Sequence, residues 1–354
     1  MISLAALLCG GALFSFGLGV LALCERFAGP QRRTRGRAER AALGLLPGLG
    51  LGPALMTLAV IVAGPLPPNA TRLLVALLAL LGLPGLLRLI RSGDGAPAEP
   101  WRPRQIALAV GCVWFLGFAQ LYAATMPMHL FDPVFHFSYK GKLIDGEGFG
   151  TPSWMVLPEE LEPHALVGRP ITHPNYPPGI PALHALVAGV EGRYDEDGTR
   201  SLMGLFLRAA CGVTWATLRP RGRNPALLAV LSLAALPLLF YSRLPHTYLS
   251  WELAEDRFLE SLSFEPLELL RSILALWIGP TDLTPGARRP DGWTLDGAAD
   301  LPLAAFLLGA CVCLWRRSAG SGQRSDLADT LTGGLLLGAA ALAKNEGLAL
   351  AAIA

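Results

Sequence analysis

Long apolar runs alternate with short polar joints along this chain, and the runs are sized to a bilayer rather than to a soluble core. Runs long enough to cross lie at 2–25, 42–64, 72–90, 105–125, 202–218, 225–241, 300–315 and 328–343, where a span needs about 20 residues. The pattern predicts an all-α fold, a polytopic transmembrane helical bundle of about eight spans, with the seventh and eighth near the lower limit for crossing. Two polar stretches interrupt it and divide the chain into five parts. These are four N-terminal helices (1–125), a first outer loop (126–200), a transmembrane hairpin (201–241), a second outer loop (242–298) and further helices (299–354). Both loops are expected to carry short interfacial helices. In the second, FEPLELLRSILALWIG (264–279) is apolar but reads better as a helix lying in the interface, with Glu268 and Arg271 on its wet side.

Composition agrees with the pattern. Apolar residues make up 52% of the chain and charged residues 16%, which is a membrane composition and not that of a two-domain soluble protein. No basic patch interleaved with aromatics is present, so nucleic acid is not an expected partner. The six cysteines all fall inside predicted spans, which disfavours a disulfide framework or a cysteine zinc site. The N-terminus lacks the positive leader of a cleavable signal and reads as a retained first helix. The chain stops at ALAKNEGLALAAIA, partway into a new apolar run, and is expected to be a C-terminally truncated fragment.

Arginines set the orientation. They cluster after the first span (Arg32, Arg33, Arg35, Arg37, Arg40), the third (Arg88, Arg91, Arg102, Arg104), the fifth (Arg219, Arg221, Arg223) and the seventh (Arg316, Arg317, Arg324). The alternate joint GPLPPNATR carries Arg72 alone. Short cytoplasmic loops collect Lys and Arg, so the N-terminus and the 126–200 loop are placed on the outer face.

That loop holds a polar island, Met126 to Gly192, with five of six histidines (His129, His136, His164, His173, His184) and two of three lysines. Asp132 lies just past the fourth span, where partial desolvation raises a carboxyl pKa toward one suited to a general base; an Asp-Pro turn with Pro133 explains it equally. His136, Lys140 and Lys142 sit on the aromatic-rich segment FHFSYKGKLI. An amphipathic helix there would aim its cations at headgroup phosphate, the alternative being plain snorkelling of lysine. The segment THPNYPPGIP is a stiff re-entry toward the membrane that holds His173, Asn175 and Tyr176, or else a structural turn. No histidine pair has the tight spacing of a metal site, and no cofactor is expected. Asp300 stands at the outer mouth of the seventh span. Lys344, Asn345 and Glu346 lie between two apolar runs, where ionisable groups suggest function or pair with one another.

Taken in order, the loop acid Asp132, the lysine stretch FSYKGKLI, NYPPGIP, ADLPLA and the KNEG turn resemble the GT-C superfamily of polytopic glycosyltransferases. That superfamily includes protein O-mannosyltransferases and the aminoarabinose transferases of lipid A. The resemblance covers roughly 125–190 and 298–350. It implies transfer of a sugar from a polyprenyl-phosphate donor to a glycan, lipid or protein acceptor at the outer face of a bacterial inner membrane, among membrane lipids. Asp132 would act as base or position the acceptor, and Lys140, Lys142 and Lys344 would hold the lipid phosphate. His136, His173, Asn175, Tyr176, Asp300 and Glu346 complete the expected substrate contacts. A transporter or flippase-like protein whose outer loop gates substrate is the rival reading; such proteins show repeated halves and broken helices.

Overall fold

The computed structural model describes residues 3–28, 35–91, 100–125, 137–148, 176–239, 241–242, 289–290, 300–319 and 325–353. The described residues are helical apart from short turns and one two-residue antiparallel pairing, Tyr241 with Pro290 and Ser242 with Arg289. The long helices are α1 (Leu4–Phe27), α2 (Arg37–Ala63), α3 (Pro68–Arg91) and α4 (Pro103–Thr125). After the polar island come α8 (Met203–Leu218), α9 (Arg223–Leu239), α10 (Asp300–Ala319) and α11 (Ser325–Ala343). The island contributes α5 (Tyr139–Gly146), α6 (Gly179–Glu191) and α7 (Glu196–Arg200), and α12 (Asn345–Ile353) follows α11.

Among the described residues, five helical stretches are long and apolar enough to cross a membrane: Leu4–Phe27, Arg37–Ala63, Pro68–Arg91, Pro103–Leu121 and Gly198–Arg221. The last contains α8. Helices α9, α10 and α11 are also apolar, over Arg223–Ala235, Asp300–Trp315 and Leu327–Ala343 among the described residues. The expected interfacial helix at 264–279 lies outside the described residues.

Helix α1 is the centre of the bundle, clasped between α2 and α3. The clasp is close because glycines face backbone. A Cβ on Gly17 would overlap the Gly44 carbonyl, and one on Gly48 would overlap the Leu13 carbonyl. On the other flank, Gly82 and Gly85 of α3 would strike the backbone at Ser15 and Leu18. Small residues at such contacts let helices approach where no hydrophobic force drives them together. Ser15 Oγ adds a hydrogen bond across the contact, donating to the Ala79 carbonyl at 3.0 Å. One apolar cluster joins α1, α2, α3, α6, α8, α10 and α11; a smaller one joins α4, α8 and α9. The outward faces of α3 and α4 keep Leu80, Leu81, Ile90, Val110 and Val113 exposed, the side turned to lipid in a spanning bundle.

The two ends of the bundle differ. At one end Glu25, 2% exposed, lies 3.2 Å from Arg88, 3.4 Å from Arg40 and 3.8 Å from Arg35. Arg35 also meets Glu39 at 3.6 Å and pairs with Asp329. Four helix ends are thereby tied by buried charges. Trp101 stacks on Trp215 at the same end, with Arg223 5.3 Å above Trp101 and Arg221 5.2 Å above Trp315, an aromatic and cationic belt of the kind found at membrane interfaces. The other end carries α5, α6, α7, Asp300 and Lys344.

Removing one partner from a buried charge network leaves the others desolvated and unpaired, at about 3–5 kcal/mol. Glu25→Gln should therefore lower the thermal stability of the detergent-solubilised chain well beyond Glu39→Gln, whose more exposed carboxylate meets Arg35 at 3.6 Å. Equal losses in a side-by-side melting experiment would deny Glu25 its central place.

Candidate functional site

The described parts of the island, 137–148 and 176–192, form a roof over one end of the bundle. Helix α6 begins where the Tyr176-Pro177-Pro178 segment turns in and Gly179 passes the Leu342 carbonyl so closely that a Cβ would overlap it. Pro181 sits in the first turn, where no intrahelical N–H is needed. The helix stops at Gly192, whose φ of 85° only glycine adopts without strain, with its N–H donating to the Ala188 carbonyl at 2.8 Å. Every residue from Gly179 to Val190 is buried, as suits a helix apolar on all sides. It starts against the last turn of α11 and ends against the first turn of α3, where Gly189 meets Thr71. Both contacts are at the same end, so α6 runs across the bundle. Arg72 clamps its far end, Nε donating to the Val190 carbonyl at 2.9 Å.

Helix α5 lies on α6, brought close by Gly141, which leaves room only for the His184 side chain. Its lysines diverge. Lys142 is exposed, whereas Lys140 is fully buried and its Nζ donates to the Tyr176 carbonyl at 3.4 Å. The same ammonium lies 5.8 Å from the Tyr176 ring centre, and Phe137 meets that ring edge-on at 5.7 Å. Burial lowers the Lys140 pKa to about 8.

From the distant C-terminal part of the chain, Lys344 reaches the same place. It lies in the break between α11 and α12, with Nζ 2.7 Å from Asp300 at the start of α10 and 3.8 Å from Glu346. Burial pulls its pKa down, but the Asp300 hydrogen bond and charge, with Glu346 and Tyr176, outweigh that and raise it. Lys140, Tyr176, Asp300, Lys344 and Glu346 thus gather at one end of the bundle from four separate stretches of sequence. The exposed members of this set are acidic and the less exposed members cationic, and an anion arriving there would compete with Asp300 for Lys344. Asp132, His136, His173 and Asn175 lie outside the described residues.

Several groups not singled out from sequence complete the roof. His184 is fully buried, and among the described residues neither ring nitrogen has a hydrogen-bond partner. Tyr194 shares a hydrogen bond with Ser138 at 2.6 Å, and burial pushes its pKa up to about 12. Arg200 is buried beneath them at 1% exposure. Asp145 on α5 is half-buried, and burial raises its carboxyl to about 6. The signal for His184 was its isolation in the apolar run PALHALV; Tyr194 and Arg200 look like ordinary surface residues until the roof closes over them. Among the described residues no group of three or more His, Cys, Asp or Glu is placed to hold a metal ion.

No protein-family model, curated protein or solved structure matches the chain.

The displaced Lys140 pKa makes stability depend on pH. The ordinary lysine value is 10.5 and the folded value about 8, so between them the unfolded chain binds more protons and stability rises with pH. Above about 10 Tyr194, held up to about 12, pulls the other way, since there the folded state keeps the proton longer. Melting temperatures should therefore climb between about pH 8 and 10, and Lys140→Met should flatten the climb. An unchanged slope in the variant would mean Lys140 is not the titrating group.

Proposed function

We propose that this chain is part of a GT-C-like membrane glycosyltransferase that moves a sugar from a polyprenyl-phosphate donor to an acceptor at the outer face. In this reading the bundle has about eight spans, its arginine-rich end is cytoplasmic, and its roofed end faces the periplasm of a bacterial cell. The observation that carries the proposal is that Tyr176, held by Lys140, lies within electrostatic reach of Lys344 while Gly179 packs on the Leu342 carbonyl, which joins the polar island to the KNEG turn at one end of the bundle. A transporter reading has less support, because these ionisable groups gather at the end of the helices rather than at broken helices halfway along them.

The chemistry needs two things. An acceptor oxygen attacks the anomeric carbon as the bond from that carbon to the phosphate oxygen breaks. Its proton must go to a base, and the departing phosphate must be met by positive charge. Asp132 is the proposed base. Lys344, with its side chain 15% exposed beside Asp300, is the cation best presented to a phosphate. Lys140 faces inward, so its role becomes to hold the Tyr176 turn, while exposed Lys142 remains available to the lipid headgroup region. Asp300 and Glu346 keep Lys344 in place and charged until the donor arrives. No metal or cofactor enters this scheme.

Transfer from radiolabelled polyprenyl-phosphate sugars, measured in membranes, tests the reading. Asp132→Asn and Lys344→Ala should each lower transfer by about a hundredfold or more, the usual scale for a lost base or a lost charge-stabilising donor. Lys142→Ala should weaken donor binding more than turnover. Undiminished transfer in both Asp132→Asn and Lys344→Ala would remove the proposal's basis.

A further inference from the structure

A second polar feature lies within the bundle, away from the roofed cluster. A cavity of about 270 Å³ opens between α1, α8 and α4. Its walls are apolar, from Gly10, Gly11 and Phe14 on one side and Leu205 on the other, yet Arg208 and Gln120 also line it. Arg208 lies seven residues beyond Ser201 in the fifth apolar stretch, about 10 Å along the helix axis. It is half-buried and makes no hydrogen bond or ion pair among the described residues. Among the described residues no acidic side chain lines the cavity. Gln120 is 5% exposed; its Nε2 donates to the Ser201 carbonyl at 2.7 Å, while its Oε1 is buried without a partner. Gly204 is what allows the amide to lie there, since a Cβ would overlap that oxygen.

A cation with no partner among the described residues is costly within an apolar helix, and so is an orphaned amide oxygen. Both costs fall away if one ligand brings an anion to Arg208 and a hydrogen-bond donor to Gln120. The guanidinium fork suits a phosphate. The remaining walls take hydrocarbon, and the cavity is too small for a whole lipid, so the rest of the ligand must extend through its open side. We infer that this cavity is a binding site for an anionic phospholipid with a hydroxylated headgroup. The phosphate lies on Arg208, a headgroup hydroxyl donates to Gln120, and one acyl chain runs along Gly10 and Gly11. Phosphatidylglycerol is the simplest lipid with that chemistry. Phosphatidylethanolamine would set an ammonium beside Arg208. The inference stands independently of sugar transfer.

The test is lipid retention by the purified full chain in detergent, read by native mass spectrometry with added phosphatidylglycerol, phosphatidylethanolamine or palmitate. The wild-type chain should prefer phosphatidylglycerol by about tenfold or more, the scale of one hydrogen bond to a charged group. Arg208→Gln should erase the preference and Arg208→Lys should keep part of it. Gly11→Leu fills the cavity, and because nothing lies within 4 Å of a Cβ at Gly11 it should abolish retention with no change in melting temperature. Unchanged retention in Gly11→Leu, an unchanged preference in Arg208→Gln, or palmitate held as tightly as phosphatidylglycerol would each overturn the assignment. If Arg208→Gln only raises the melting temperature and leaves retention intact, Arg208 is a snorkelling side chain and the site does not exist.

Discussion

A single buried carboxylate organises this bundle. Glu25 closes α1 and faces guanidinium groups from the segment before α2, from α2 itself and from the end of α3. A charge so deeply placed tolerates little displacement, because every ångström lost to a partner leaves desolvation uncompensated. Arg35 carries the tie onward to Asp329 in α11. The glycine contacts of α1 with α2 and α3 then fix spacing while the ionic knot fixes register. Helix α11 is a rigid rod from Asp329 to its last turn, about 22 Å away at the ordinary rise per residue. Where Asp329 is pinned, the position of Lys344 at the far end follows.

That far end is covered by a helix buried on all sides. Helix α6 has no membrane-facing or water-facing surface; α5 lies on one side and the bundle on the other. Such an element transmits position well. Tyr176 at its entry is held by Lys140 and Phe137 from above and lies near Lys344, and Gly179 lets the chain pass against α11. The cluster of cations and carboxylates is therefore set by packing, not by loop conformation. The cost is visible in Lys140, whose ammonium is held in the interior against its preference for water.

Much of the architecture was legible as hydrophobic pattern. The long helices fall where the apolar runs predict them, since a run with no place for polar backbone must satisfy its hydrogen bonds internally. Among the described residues five meet the length and apolarity of a span, against about eight expected from the apolar runs. Helix α6 was not legible as a helix: GIPALHALVAGV follows three prolines in five residues and is too short to cross, so it read as a turn back to the membrane. Its helicity depends on burial by neighbours remote in sequence. The lysines of α5 were legible as a pair, but residues two apart point to different sides of a helix, and which one turns inward depends on where α6 lies. Pairing of Lys344 with Glu346, its neighbour along the chain, was one of two readings open from sequence, and that contact is present at 3.8 Å. The structure brings Asp300 closer, because α10 and α11 form an antiparallel hairpin that sets the start of one beside the end of the other.

The sequence by itself determined that the chain folds as apolar helices and that its charges collect at helix ends and in one island, because desolvating a charge or an unpaired peptide group in hydrocarbon is prohibitive. It could not determine which charges meet. Glu25 with Arg88, Lys140 with Tyr176 and Lys344 with Asp300 are separated by 36 to 63 positions, and nothing local favours those pairings over others. They are decided by helix register, which depends on glycines lying against backbone and on one carboxylate shared by three arginines. Those are properties of surfaces that exist only once the helices have packed.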